Sequence, residues 1–219
     1  MIDDLVRRID ATGPGKRVRL ATIRRGMKDP PRELFDPELF SRVVNDEPAL
    51  RTLLYRDRDG AWWRRRFLGE ERHRAVLDLS NLFWTIGGTE AEALAPFLEY
   101  LGDLGIIRTI GVADANLPYS VRNFDELRDV LDDLVAVSGG EPADPTILDR
   151  AERERALIVS NDRFRDWKKS SRWRRRNIER LRCPLTYRAE NSGPARFDLG
   201  RAEDELRFDR DPAGRYDTM

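Results

Sequence analysis

The stretch that decides the fold is ALIVSNDRFRDW, Ala156–Trp167. Ala156, Leu157, Ile158 and Val159 stand in one apolar run, the pattern of a strand buried on both faces. Ser160, Asn161 and Asp162 then end it, and Asp166 follows one helical turn later. A strand with no polar face belongs in a parallel sheet covered by helices, so the flanking sequence should alternate between strand and helix.

It does so from Arg74 onward. RAVLDLS reads as strand, TEAEALAPFLEYLGDLG as helix, IIRTIGVADA as strand and NFDELRDVLDDL as helix. VAVSG is a short strand, DPTILDRAERER a helix, and LTYRAE, residues 185–190, a last strand. The expectation is an α/β unit over residues 70–191 with a mostly parallel sheet. Ligands of such sheets bind beyond the carboxyl ends of the strands, where the strand order reverses.

Residues 1–69 have a different rhythm. Ile2, Leu5, Val6 and Ile9 mark one face of a short helix ended by TGPG, and Asp36 before Pro37 opens another. LRTLLYRDRDGAWWRRRF then reads as two strands joined at Asp59-Gly60. Short helices followed by a hairpin are similar in element order to winged-helix domains of the OST-HTH or LOTUS type. A small helical capping subdomain is the other reading, and the element order leaves both open. Residues 192–219 are expected to form a polar, poorly ordered tail.

Composition narrows the chemistry. With 219 residues, 40% of them apolar, the chain can bury a sizeable core. No run approaches the roughly eighteen apolar residues of a membrane span, and the amino terminus lacks a signal-peptide core, so a cytoplasmic location away from membranes is expected. One cysteine, Cys183, and one histidine, His73, exclude an internal disulfide and a zinc site of the usual kind. A bound metal would have to favour oxygen ligands, as magnesium and manganese do. Forty basic residues balance forty acidic ones, yet ten basic and only two acidic residues fall between Arg163 and Arg182.

Aspartates recur where the strands should end: Asp78, Asp114, Asp144 at a helix start, Asp162, and Asp166 one turn on. If the first and fourth strands are neighbours, Asp78, Asp144, Asp162 and Asp166 converge. Such carboxylates repel one another, and a divalent cation removes the repulsion. It can also neutralise phosphate charge and activate water against a phosphodiester. Asp144 or Asp162 taken alone reads first as a helix cap, and only the four together at one sheet edge favour a site; for Asp114 the cap or loop role is the one expected.

VLDLSNLFW, ADPTILDRA and LIVSNDRFRDW together resemble the acidic motifs of the NYN branch of the PIN-like ribonucleases, particularly the Regnase-type nucleases. Asp78, Ser80 and Asn81 match the Asp-x-Ser-Asn strand end, Asp144 the central acidic residue, and Ser160, Asn161, Asp162 and Asp166 the last motif. The chain departs at Ala143, where a second acidic residue often stands, and at Leu79, where glycine is common. The resemblance implies a Rossmann-like PIN fold, a magnesium or manganese site held by Asp78, Asp144, Asp162 and Asp166, and hydrolysis of RNA. Asn81 is expected to hold an aspartate or a phosphate oxygen, and Ser80 to orient a ligand.

Other families fit less well. An adhesion-type Asp-x-Ser-x-Ser start fails at Leu82, receiver domains need a late strand-end lysine, and dehalogenase-type phosphatases need Asp-x-Asp. GPGK lacks the serine or threonine of a phosphate-binding loop, since Arg17 follows Lys16. A nucleic-acid-binding regulator with a non-catalytic acidic pocket is the alternative from another class.

RNA, single-stranded and cut endonucleolytically, is the expected substrate, with a homodimer left open. The basic run supplies the expected contacts: Arg163, Arg165, Lys168, Lys169, Arg174, Arg175 and Arg176 for phosphates, and Trp173 as a stacking face. A solvated helix face over core tryptophans is the plainer reading of the same run. WWRRR, Trp62–Arg66, is expected to add a contact on the wing.

Overall fold

The structure, a computed structural model, describes residues 2–67, 69–189 and 195–210. Two compact units divide the chain. The first comprises residues 1–68 together with 204–219, and the second residues 69–203.

The first unit opens with α1 (Ile2–Asp10) and α2 (Leu20–Arg25), followed by α3 (Pro37–Asp46), the single turn α4 (Pro48–Arg51) and the hairpin β1 (Leu54–Arg56) and β2 (Trp62–Arg64). Asp36 caps α3 as its sequence context suggests, accepting hydrogen bonds from the Glu38 and Leu39 amides. The hairpin closes at Asp59-Gly60, where Gly60 takes the left-handed conformation, φ 78°, that glycine adopts without strain. An isolated antiparallel bridge joins Arg17 to Trp63. Leu5, Ile9, Phe40, Val44, Leu54 and Trp62 form the core, with Phe40 edge-on to Trp62 at 5.3 Å between ring centroids.

Two expectations for this unit are corrected. WWRRR is not an exposed wing: Trp62, Arg64 and Arg65 are buried. Arg64 pairs with Asp10 at 2.6 Å, and Arg65 Nε donates to the Arg51 carbonyl. These guanidinium groups are spent on partners within the first unit, a backbone carbonyl and the carboxylate of Asp10. Nor is the carboxyl-terminal region all tail. β9 (Arg196–Asp198) and α11 (Arg201–Arg210) form, and Phe208 packs against Trp62 at 6.0 Å. The charged look of α11 misleads because its acids are partnered: Asp204 holds Arg58 at 2.7 Å, and Glu205 accepts from the Arg66 and Phe67 amides. The rest of the expected tail includes residues 192–194 and 211–219, which lie outside the described residues.

The second unit is the expected α/β domain. Its elements run β3 (Arg74–Asp78), α5 (Leu79–Ile86), α6 (Ala95–Asp103), β4 (Arg108–Ala113), α7 (Leu117–Ser120), α8 (Leu127–Val130) and β5 (Asp133–Ala136). After these come α9 (Ala143–Glu154), β6 (Leu157–Val159), α10 (Arg172–Leu181), β7 (Arg182–Cys183) and β8 (Thr186–Arg188). One five-stranded sheet has the order β5-β4-β3-β6-β7, and every pairing in it is parallel. LTYRAE does not extend this sheet. Its strand β8 pairs antiparallel with β9 in a separate ribbon, and the edge position belongs to the two residues of β7, too short a strand for any periodicity to reveal.

The apolar strand ALIV runs beside RAVLD with Val76 opposite Ile158, so the first and fourth strands of the sheet region are neighbours. The chain moves outward from β3 through β4 to β5, then crosses by α9 to the other side of β3. The strand order therefore reverses between β3 and β6, and a crevice opens beyond their carboxyl ends. α9 packs on β3, β4 and β6, while α5 packs on β3 and β4. Gly111 of β4 makes the α5 contact feasible, because a Cβ there would stand 2.7 Å from Leu79 Cδ1 and from Leu131 Cδ1.

Candidate active site

Asp78 ends β3 and caps α5, accepting from the Asn81 amide at 3.2 Å. Its second oxygen accepts from the Ser160 hydroxyl at 2.7 Å, and that hydroxyl accepts in turn from the Asp162 amide at 3.0 Å. Ser160, completely buried at the end of β6, thus fixes the spacing between two aspartates that are distant in sequence. Asp162 Oδ1 accepts from the Phe164 amide, which turns the chain after β6. Phe164 holds that turn with a left-handed backbone, φ 47°, and a buried ring.

Asp144 stands in the first turn of α9 and accepts from the Trp167 indole Nε1 at 2.9 Å. Asp144, Asp162 and Asp166 line one open cleft of about 420 Å³ with Asn161, Arg163, Phe164 and Arg165. Asp78 lies just beneath, only 7% exposed. Burial pushes its carboxyl above the ordinary range, hydrogen bonds from Ser160 and Asn81 pull it partly back, and the charges of Asp144 and Asp162 push it up again. Asp144 is raised in the same way, by burial first and then by Asp162, with a smaller push from Asp166. The four predicted aspartates therefore share one electrostatic site. Among the described residues none of the four carboxylates has an ion pair, in a chain with forty basic side chains.

That donor set suits a hard divalent cation: clustered oxygens, mutual repulsion, and no ion pair to any of the four among the described residues. The side chains are not arranged as a finished cage. Among the described residues no group of three or more His, Cys, Asp or Glu side chains is placed to hold an ion as it stands. Three of the four carboxylates are turned toward a protein donor: Asp78 to Ser160, Asp144 to Trp167, Asp162 to its own loop. Charge proximity is the better guide to the site, since rotation about one side-chain bond changes ligation geometry but not which backbones converge.

Asn81 ties the two strand ends rather than facing open space, its Oδ1 accepting from the Asn161 amide at 3.0 Å. Asn161 extends the tie, donating from Nδ2 to Thr85 Oγ1 and to the Leu185 carbonyl. Ser80 Oγ accepts from the Asp114 amide. Asp114 accepts from the Asn116 and Leu117 amides, the cap role expected for it.

The basic run divides. Arg163 and Arg165 line the acidic cleft, and with Lys169, Arg175 and Arg176 they are exposed and have no ion pair among the described residues. Arg174 does not belong with them. It is buried, pairs with Asp149 at 2.6 Å and stands 5.6 Å over the Trp167 ring, so its charge serves packing and not a ligand. Lys168 is half-buried and paired with Glu179, which leaves it less available than expected. Trp173 is half-buried on α10. Ser160 and Trp167, both missing from the predicted site, turn out to set the positions of Asp78, Asp162 and Asp144. Ser160 is visible in the sequence only as part of the Ser-Asn-Asp strand end, and Trp167 only as an aromatic residue within the basic run.

No helix among the described residues is long and apolar enough to cross a membrane. No curated protein matches the chain. Residues 133–207 match the family model described as the Zc3h12a-like ribonuclease NYN domain, which bears out the resemblance to NYN nucleases over a span that contains Asp144, Asp162 and Asp166; the first motif, with Asp78, lies outside the matched residues. Over that span, which holds β5, α9, β6, α10 and the loop after β6, the α/β unit is similar to the Zc3h12a-like ribonuclease NYN domain.

Proposed function

We propose that this protein is a divalent-metal-dependent endoribonuclease acting on single-stranded RNA. One observation carries the metal: four aspartates from β3, α9 and the loop after β6 share a site, and among the described residues no protein cation is paired to any of them. Asp78, Asp144, Asp162 and Asp166 would hold magnesium or manganese. Bound there, the ion supplies charge neutralisation at phosphate and a lowered pKa for water. The chain's own part is to set those oxygens. Ser160 spaces Asp78 from Asp162, Trp167 aims Asp144, and Asn81 with Asn161 locks the ends of β3 and β6 together. Arg163 and Arg165 at the cleft, with Arg175 and Arg176 on α10, meet the phosphates.

The open cleft supports an endonucleolytic, single-strand preference, since it can admit a flexible backbone along its length. A cytoplasmic location fits the reduced, lone Cys183. The first unit, with its helices, bridge and hairpin in winged-helix order, is proposed as an accessory module. Homodimer formation belongs to the same proposal.

Labelled single-stranded RNA and matched DNA, incubated with manganese, magnesium or chelator, test the reading. Internal cleavage of RNA that chelator stops is expected. RNA binding without cleavage under any metal would instead favour the alternative, a nucleic-acid-binding regulator.

A further inference from the structure

Tyr119 and Trp84 are 91% and 87% exposed, the two most exposed large hydrophobic side chains among the described residues. Both sit on connections that leave the carboxyl edge of the sheet, Trp84 on α5 after β3 and Tyr119 on α7 after β4. The two connections are tied together on either side of the rings. At the sheet edge Ser80 Oγ accepts from the Asp114 amide at 3.2 Å. Further out, the Arg122 amide donates to the Thr89 carbonyl at 2.8 Å, and the Ala91 amide to the Arg122 carbonyl at 3.0 Å. Trp84 follows Ser80 and Asn81 by four and three positions, on their face of α5. From Asp78, the cap of that helix, to Trp84 is about 9 Å along the axis.

We propose that Trp84 and Tyr119 form a stacking platform for unpaired RNA bases beside the acidic cleft, an inference that rests on the nuclease reading. The strand order supplies the directional argument. β4 and β3 carry the aromatic side, while the exposed arginines follow β6 on the other side of β3. A single strand crossing the carboxyl edge would therefore turn its phosphates to Arg163 and Arg165 and its bases to the rings. The surroundings favour bases over an apolar partner. Leu82, Phe83, Leu117 and Val121 are buried; Asn116, Thr89, Ser120 and Arg122, which pairs with Glu90, are exposed, and the apolar Ile86 and Pro118 are only half-exposed. Isolated rings in a polar field offer π-faces that any base can use, without the continuous apolar area a helix or second subunit needs.

The test uses the full chain in chelator, so that binding is read without cleavage. Three proteins, wild type, W84A/Y119A and W84F/Y119F, are titrated by fluorescence anisotropy with a single-stranded RNA and with the same strand carrying abasic sites. The alanine pair should bind the intact strand about tenfold more weakly with an unchanged salt slope, and the phenylalanine pair should bind like wild type. All three should bind the abasic strand alike. Equal binding of intact RNA by the alanine pair and wild type overturns the platform and leaves the nuclease reading standing. A loss that persists on abasic RNA also overturns it, as does a change of sedimenting mass with RNA affinity unchanged, which would assign the rings to a second copy of the chain. Wild type that binds no RNA removes the nuclease reading and the platform with it.

Discussion

The indole Nε1 of Trp167 donates a hydrogen bond to Oδ2 of Asp144 across 2.9 Å. Behind the indole stands the guanidinium of Arg174, itself anchored to Asp149. A residue twenty-three positions downstream thereby sets the direction of a carboxylate that would otherwise turn away from its negative neighbours. Trp167→Phe keeps the ring and removes the donor. A hydrogen bond to a charged group contributes about 1.5–3 kcal/mol, so turnover should fall roughly ten- to a hundredfold if Asp144 must be held in place. The thermal midpoint should move little. Steady-state kinetics beside a melting curve check this, and unchanged kcat would mean that Asp144 is oriented by something else.

Asp78→Asn and Asp162→Asn should each abolish cleavage while leaving the fold intact. Asp78 is the sharper test because it is buried among like charges. Replacing it with an isosteric amide removes a costly charge, so the metal-free variant should melt no lower than wild type at neutral pH. Normal turnover in either variant would place the chemistry elsewhere.

The basic run predicts a contrast between neighbours in sequence. Arg175→Ala with Arg176→Ala should weaken RNA binding and flatten the dependence of log K on log salt by about one to two, with the fold untouched. Arg174→Ala should instead lower the melting temperature, because it leaves Trp167 uncovered and a pocket partly empty. A salt titration and a melt of the two variants separate the roles. An Arg174 variant that melts normally yet binds RNA poorly would return that residue to the substrate path.

Much of this was legible because it rests on runs of residues. ALIV and RAVLD announce paired buried strands, and Ser-Asn-Asp at a strand end points to the candidate site. What sequence could not show was partnership. Arg174 and Arg175 look identical in a string of arginines, and only the turn of α10 sends one inward to Asp149. Trp167 carries the same composition signal whether its indole serves a base or a carboxylate. α11 read as tail because five of its first eight residues are charged, and nothing local reveals that Glu205 finds two amides far back in the chain.

Glu205 supplies the last prediction. It is buried in the first unit, 1% exposed, and accepts from the backbone amides of Arg66 and Phe67 at 2.9 Å. Burial pushes its carboxyl up to about 7, with those amides and then Arg66 and Arg65 pulling the other way. The folded value exceeds the unfolded one, so the folded state keeps its proton to higher pH. The cost of ionising Glu205 is absent below about pH 4.5, grows as pH rises through the window to about 7, and is complete above it. That cost amounts to roughly 3 kcal/mol from the size of the displacement. Glu205→Gln keeps an acceptor for the amides and cannot ionise, so its melting temperature should vary less than wild type between pH 5 and pH 8 and should be the higher of the two at pH 8. Truncation after Glu203 removes the acceptor together with Phe208, and should destabilise the first unit at every pH. Parallel pH profiles for the wild type and Glu205→Gln would mean that the carboxylate stays ionised throughout, held by Arg65 and Arg66 more firmly than burial opposes it.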